Sequence, residues 1–91
     1  MLSHSPIDLN KVSEEDLDRE ILRLGIIAEL DAVSLYEQLA AKTKDGKIKE
    51  VFLEVAKEEK THVGEFQAML LERDEEQVKE LEEGKKEIRE M

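Results

Sequence analysis

The apolar residues in the second half of the chain recur at alternating steps of four and three: Ile48, Phe52, Val55, then Phe66 and Met69. That period places them on one face of a single helix. Glu59 and His62 hold the two middle places of the same register, so the stripe that should be buried carries a carboxylate and an imidazole at its centre. The first half repeats the arrangement, with Leu22, Ile26, Val33, Tyr36 and Ala40 on a common face around Glu29. The pattern predicts two amphipathic helices, each with an acid in the middle of its apolar side. Burying a carboxylate without a partner costs several kcal/mol, about as much as a small domain can spare. Something must meet these acids.

The ends of the helices can be read from short signals. Ser13-Glu14-Glu15-Asp16 ahead of Leu17 predicts a start at residue 14, with the Ser13 hydroxyl accepting from a free backbone N–H and Asp16 reaching back. The first helix is expected over 14–43, about 45 Å at 1.5 Å per residue. Asp45-Gly46 predicts a tight reversal, with the glycine free to take a positive φ. A second helix is expected over 47–72. Asp74, with Gln77 three residues on, predicts a cap for a short third helix from 75. Its thin apolar edge is Val78, Leu81 and Ile88, interrupted by Gly84 and surrounded by charge. The expected organisation is an irregular leader over 1–13 containing His4 and Pro6, an antiparallel helical hairpin over 14–72, and a charged helix or tail over 73–91. Gly25 and Gly64 lie inside the long helices, where each costs about 1 kcal/mol against Ala. Close helix approach is the expected compensation.

Composition bounds what such a hairpin can do alone. The 91 residues include only three aromatics and are 40% hydrophobic, a modest aliphatic core that favours pairing with a second copy. The net charge of −10 argues against nucleic acid, which is held by clustered Lys and Arg, and favours cations. With no cysteine, thiolate metal sites and disulfides are excluded, leaving oxygen and imidazole donors. Nothing in the sequence has the length and apolarity of a membrane span or the pattern of a signal peptide, so a cytoplasmic protein is expected. Charged residues reach 42%, a composition that suits a heat-adapted organism and equally a solvated long helix.

A Glu-x-x-His run by itself is weak. Glu fills 18 of 91 positions, so chance alone puts one three residues before roughly one His in five. Its place on an apolar face, together with Glu29 on another, makes it specific. Di-iron and di-manganese carboxylate proteins take a lone Glu from each of two helices and a Glu-x-x-His from each of two others. This chain supplies half of that set, and a copy related by a two-fold axis would complete it. The site would then lie on a dimer interface, inside an all-α four-helix bundle. Three oxygen and nitrogen donors per chain suit iron or manganese.

The run Ala28-Glu29-Leu30-Asp31-Ala32-Val33-Ser34-Leu35-Tyr36, followed by Glu58-Glu59-Lys60-Thr61-His62, resembles the two helix segments of the encapsulated ferritins, within the wider ferritin-like group. The resemblance covers about residues 14–83. It implies a ferroxidase, in which Glu29, Glu59 and His62 are iron ligands, Tyr36 lines the centre and Asp31 stands on the iron's access route. It further implies one iron per chain at a shared di-iron centre, homodimers assembled as a ring such as a decamer, and residence inside an encapsulin nanocompartment, to whose shell the protein supplies ferric iron. Two positions depart from some members of the family: Ala28 stands where a second acid is found, and Leu35 where a Trp precedes the Tyr. Tyr36 also fits as an ordinary core tyrosine, and Asp31, two residues from Glu29, as a solvated aspartate.

Two other readings compete. A rubrerythrin-like peroxide-reducing site uses the same ligands, although the lack of cysteine removes a fused rubredoxin centre as electron source. A helical dimerisation module would use the polar seam only to fix pairing.

Overall fold

The computed structural model describes residues 7–91; His4 and Pro6 lie outside the described residues. All regular structure among them is helical. A 3-10 turn, Leu9–Lys11, precedes three α-helices: α1 Glu14–Lys42, α2 Gly46–Leu71 and α3 Glu75–Arg89. The 3-10 turn is a departure from the irregular leader expected over 1–13. Its cause is local, since the Asp8 carboxylate accepts from the Asn10 N–H at 3.0 Å and so closes the turn.

The helix junctions follow the expected signals with two corrections. The Ser13 hydroxyl does not accept from a backbone N–H; it donates to Asp16 Oδ2 at 3.1 Å. That charge-assisted bond fixes where the hydroxyl oxygen sits, out of line with the free N–H groups, so its lone pairs accept none of them. Gly46 does not take a positive φ and is the first residue of α2. The reversal is made instead by extended Thr43 and Asp45, and Asp45 Oδ1 accepts from the N–H groups of Lys47 and Ile48 at 2.9 and 3.0 Å. Two of the free donors at the start of α2 are thereby satisfied.

α1 and α2 pack along their lengths as an antiparallel hairpin. Val33, Ala40, Ala56 and Leu70 are its buried apolar residues. Gly25 explains how closely the helices approach, because a Cβ there would lie 3.2 Å from Cδ2 of Phe66. Gly64 has no such neighbour within 4 Å, so close approach within the chain does not account for it. Two turns of helix beyond the acids, the ring of Tyr36 meets that of Phe52 at a centroid distance of 5.9 Å.

No large side chain among the described residues is fully enclosed, and Ile21, Leu39, Ile48 and Val51 are each more than two-fifths exposed. A hairpin alone therefore leaves much of its apolar surface in water. α3 does not cover it. The third helix buries none of its residues and touches the hairpin only near its base. The radius of gyration of 16.3 Å accordingly exceeds the about 12 Å of a compact domain of this length.

The base of α3 is pinned by Asp74, which is 9% exposed. One carboxylate oxygen accepts from the Gln77 N–H at 3.0 Å and the other from Arg23 of α1 at 2.8 Å. Arg23 also holds Glu20, one turn earlier on α1. The Gln77 N–H, aided by the Arg23 guanidinium, keeps the Asp74 carboxyl below the usual carboxylate range against the opposing effect of burial. Burial works against the charge on Arg23, but its bonds to Glu20 and Asp74 outweigh that and raise its pKa.

Candidate metal centre

Glu29 enters from α1, and Glu59 and His62 from α2. Because Glu59 and His62 are three residues apart they stand one above the other on the same side of their helix, and the antiparallel pairing brings Glu29 level with them. One ligand atom from each of the three side chains lies within 4.8 Å of the others. His62 Nδ1 is 3.5 Å from Glu29 Oε2 and 3.5 Å from Glu59 Oε2. These separations are too long for good hydrogen bonds, but they leave a space between oxygen and nitrogen donors.

The donor set fits a cation. Glu29 Oε2 is buried and has no hydrogen-bond partner, an expensive condition for a carboxylate oxygen that a bound metal would relieve. The side chains of Glu29 and Glu59 are 20% and 18% exposed, whereas that of His62 is 43% exposed. The acids therefore lie between the helices while the imidazole forms the outer wall, open on the side away from the hairpin's core. Two carboxylates and one imidazole suit iron or manganese, and three donors fall short of the six such ions prefer.

The other two sequence-predicted site residues lie outside this cluster. Tyr36 is seven residues beyond Glu29 on the same stripe, about 10 Å along α1, against Phe52. Asp31 points to a different side of α1 and is half-buried rather than solvated. One neighbouring contact was not foreseen: Lys60, beside Glu59, reaches across to Glu37 on α1 at 3.0 Å. Nothing in the local spacing signals that pair, which depends on the register between the helices.

The model of the family described as Rubrerythrin matches residues 20–90. The chain thus belongs to the rubrerythrin family, a group of ferritin-like di-iron domains. Within that group it is similar to two proteins of Pyrococcus furiosus. One is a solved structure, the encapsulated ferritin domain, with a TM-score of 0.85 and 49% identity over 100% of this chain and 95% of that one. The other is a ferritin-like-encapsulin shell fusion protein, 51% identical over 100% of this chain and 27% of its own length. The chain therefore spans about a quarter of the length of that curated relative. Among the described residues, no helix is long and apolar enough to cross a membrane.

Proposed function

We propose that this chain is a ferroxidase, oxidising ferrous to ferric iron at a di-iron centre completed by a second copy. The observation that carries this reading is the half-set of ligands, Glu29, Glu59 and His62, gathered around a buried oxygen that lacks a hydrogen-bond partner, with the imidazole on the more exposed side. Two copies facing each other across that side contribute four carboxylates and two imidazoles. Four carboxylate charges match the charge of two ferrous ions, so the substrate is held without surplus. The two His62 side chains add donors but no negative charge.

In this reading each protein group has a defined task. Glu29 and Glu59 would hold iron through their carboxylate oxygens, beside the His62 imidazole, and the bound ions would supply the redox chemistry. The helix pair fixes their positions, with Gly25 permitting the close approach and Lys60–Glu37 joining the same two helices on an exposed face. The net charge of −10 raises the local concentration of ferrous ions. Each iron gives up one electron, and dioxygen or peroxide is the acceptor. Tyr36 and Asp31 belong to this proposal as the aromatic lining and an acid on the iron's path. The homodimers assemble as a ring such as a decamer, and the similarity to an encapsulin fusion supports residence in the cytoplasm within an encapsulin shell that receives the ferric product.

Anaerobic ferrous titration followed by air tests the reading. Saturation near one iron per chain, with growth of a near-ultraviolet ferric band in an assembly of even size, is the expected result. Oxidation by peroxide but not by air would favour the rubrerythrin-like reaction, and no iron binding would leave a helical dimerisation module.

A further inference from the structure

We infer that the contact between Gly25 and Phe66, neither of them a ligand, sets the width of the metal centre and thereby which divalent cation it holds best; the inference rests on Glu29, Glu59 and His62 binding metal, as proposed above. Gly25 stands four residues before Glu29 on α1, and Phe66 four residues after His62 on α2. In an antiparallel pair both are about one helical turn to the same side of the three donors. A Cβ on Gly25 would lie 3.2, 3.4 and 3.7 Å from Cδ2, Cε2 and Cγ of Phe66, so the edge of the ring rests against bare backbone of α1. To the other side of the donors, Val33 and Ala56 are 8% and 2% exposed, and the hairpin is closed there as well.

Only one dimension of the centre depends on how closely the helices approach. Glu59 and His62 share a helix, and their spacing of three residues holds them together whatever lies opposite. Glu29 belongs to the other helix, so the 3.5 Å between its Oε2 and His62 Nδ1 varies with the distance between the two axes. The Glu29 side chain is 20% exposed and its Oε2 is buried, which leaves it little room to make up for a displaced backbone by changing rotamer. Lys60 and Glu37 also join the two helices, but their side chains are 60% and 46% exposed, and long exposed chains follow the backbones without fixing a distance. The Phe66 ring is rigid. Any atom added at residue 25 forces the ring and the backbone that carries it away from α1.

The cross-helix separation acts on cations by size. Sites of oxygen and nitrogen donors prefer Co2+ to Mn2+, and Mn2+ is the larger ion. A wider gap costs the smaller ion its contact with Glu29 first, so widening should erode that preference.

Titration of the metal-free full chain without oxygen tests this, with Co2+ followed by its visible absorption, Mn2+ by electron paramagnetic resonance, and helix content by circular dichroism. Gly25→Ala should weaken Co2+ binding about tenfold and Gly25→Leu about 100-fold, the range over which supporting groups act on metal sites. Mn2+ should lose less in each case, so that the preference for Co2+ narrows in the same order. Adding Phe66→Leu to Gly25→Ala should restore most of the preference, a coupling that independent sites do not show. Gly64→Ala, the same change in open space on α2, should leave both affinities as they are. In a crystal structure of metal-free Gly25→Ala, Glu29 Oε2 should stand farther than 3.5 Å from His62 Nδ1, with the separation from Glu59 kept. Unchanged affinities, an equal loss of both ions, or a ring that turns aside and leaves the Glu29 separation intact would overturn the inference. The expected pattern of Co2+ and Mn2+ binding in a chain that does not oxidise iron would uphold it and count against the ferroxidase, whereas wild type that binds neither ion would overturn both.

Discussion

Arg23 on α1 donates a 2.8 Å hydrogen bond to Asp74, 51 residues along the chain. The same carboxylate caps α3, so the attachment of the third helix and its initiation share one side chain. Asp74→Asn should keep the cap, because Asn caps nearly as well as Asp, but weaken the link to Arg23. Asp74→Ala should lose both. Amide hydrogen exchange is expected to quicken in α3 in that order, with α1 and α2 little changed.

Acid should release the same attachment. Asp74 has its pKa lowered from 3.8 by Gln77 and Arg23, so the unfolded state binds the proton more readily. Its contribution is fully present above the unfolded value and is lost as pH falls through the depressed folded value. Protection factors in α3, with the intrinsic pH dependence of amide exchange divided out, should therefore be flat through the neutral range and fall only on the acid side of the ordinary carboxylate range.

Replacing one of the three proposed ligands should separate function from stability. Glu29→Ala, Glu59→Ala or His62→Ala should each lower iron oxidation by at least about 100-fold, the upper end of what loss of a mere supporting contact costs a metal site. Glu29→Leu removes the buried oxygen that lacks a hydrogen-bond partner. It should abolish iron binding yet raise the metal-free protein's stability by about 1 kcal/mol or more. Denaturant unfolding in chelator, beside iron titration, reads both. A metal-free variant less stable than wild type would mean that Glu29 already has adequate partners.

The two mid-helix glycines should respond oppositely to alanine. Gly64→Ala enters open space and should gain about 1 kcal/mol from helix propensity. Gly25→Ala meets the Phe66 ring at 3.2 Å and should recover little or none of that gain, because the ring must shift. Thermal melts of the two variants at equal protein concentration make the comparison. If Gly64→Ala instead disrupts the assembly, another chain approaches there.

Metal and protein concentration should both raise the melting temperature. Iron that binds only the paired, folded state stabilises it by mass action, and chelation should shift the melt downward. A melt independent of protein concentration and of iron would contradict a centre shared between copies.

Much of this architecture is legible in the sequence, because its signals are local. The periodic stripes predict helices over 14–43 and 47–72, and α1 and α2 run Glu14–Lys42 and Gly46–Leu71. Asp45 and Asp74 act as caps through donors two or three residues away. Glu29, Glu59 and His62 share the centres of two stripes, so antiparallel packing alone brings them level. What escapes the sequence depends on tertiary register or on competition between partners. Arg23 and Asp74 are far apart in the chain, and Lys60 meets Glu37 only because of the helix offset. Ser13 is a fitting cap residue that a carboxylate claims first.

The open side of His62 has a consequence for which metal is acquired. In the proposed reading two carboxylates and an imidazole on a single chain are half of a di-iron centre, yet they equal the three protein donors with which catalytic zinc sites are built. Zinc and copper also bind such donors more tightly than ferrous iron does. On that reading a chain that meets metal before it meets its copy offers these donors to the wrong ion, and pairing first would reserve the place for iron. Metal identity would then be set by the order of two events as much as by the ligands themselves.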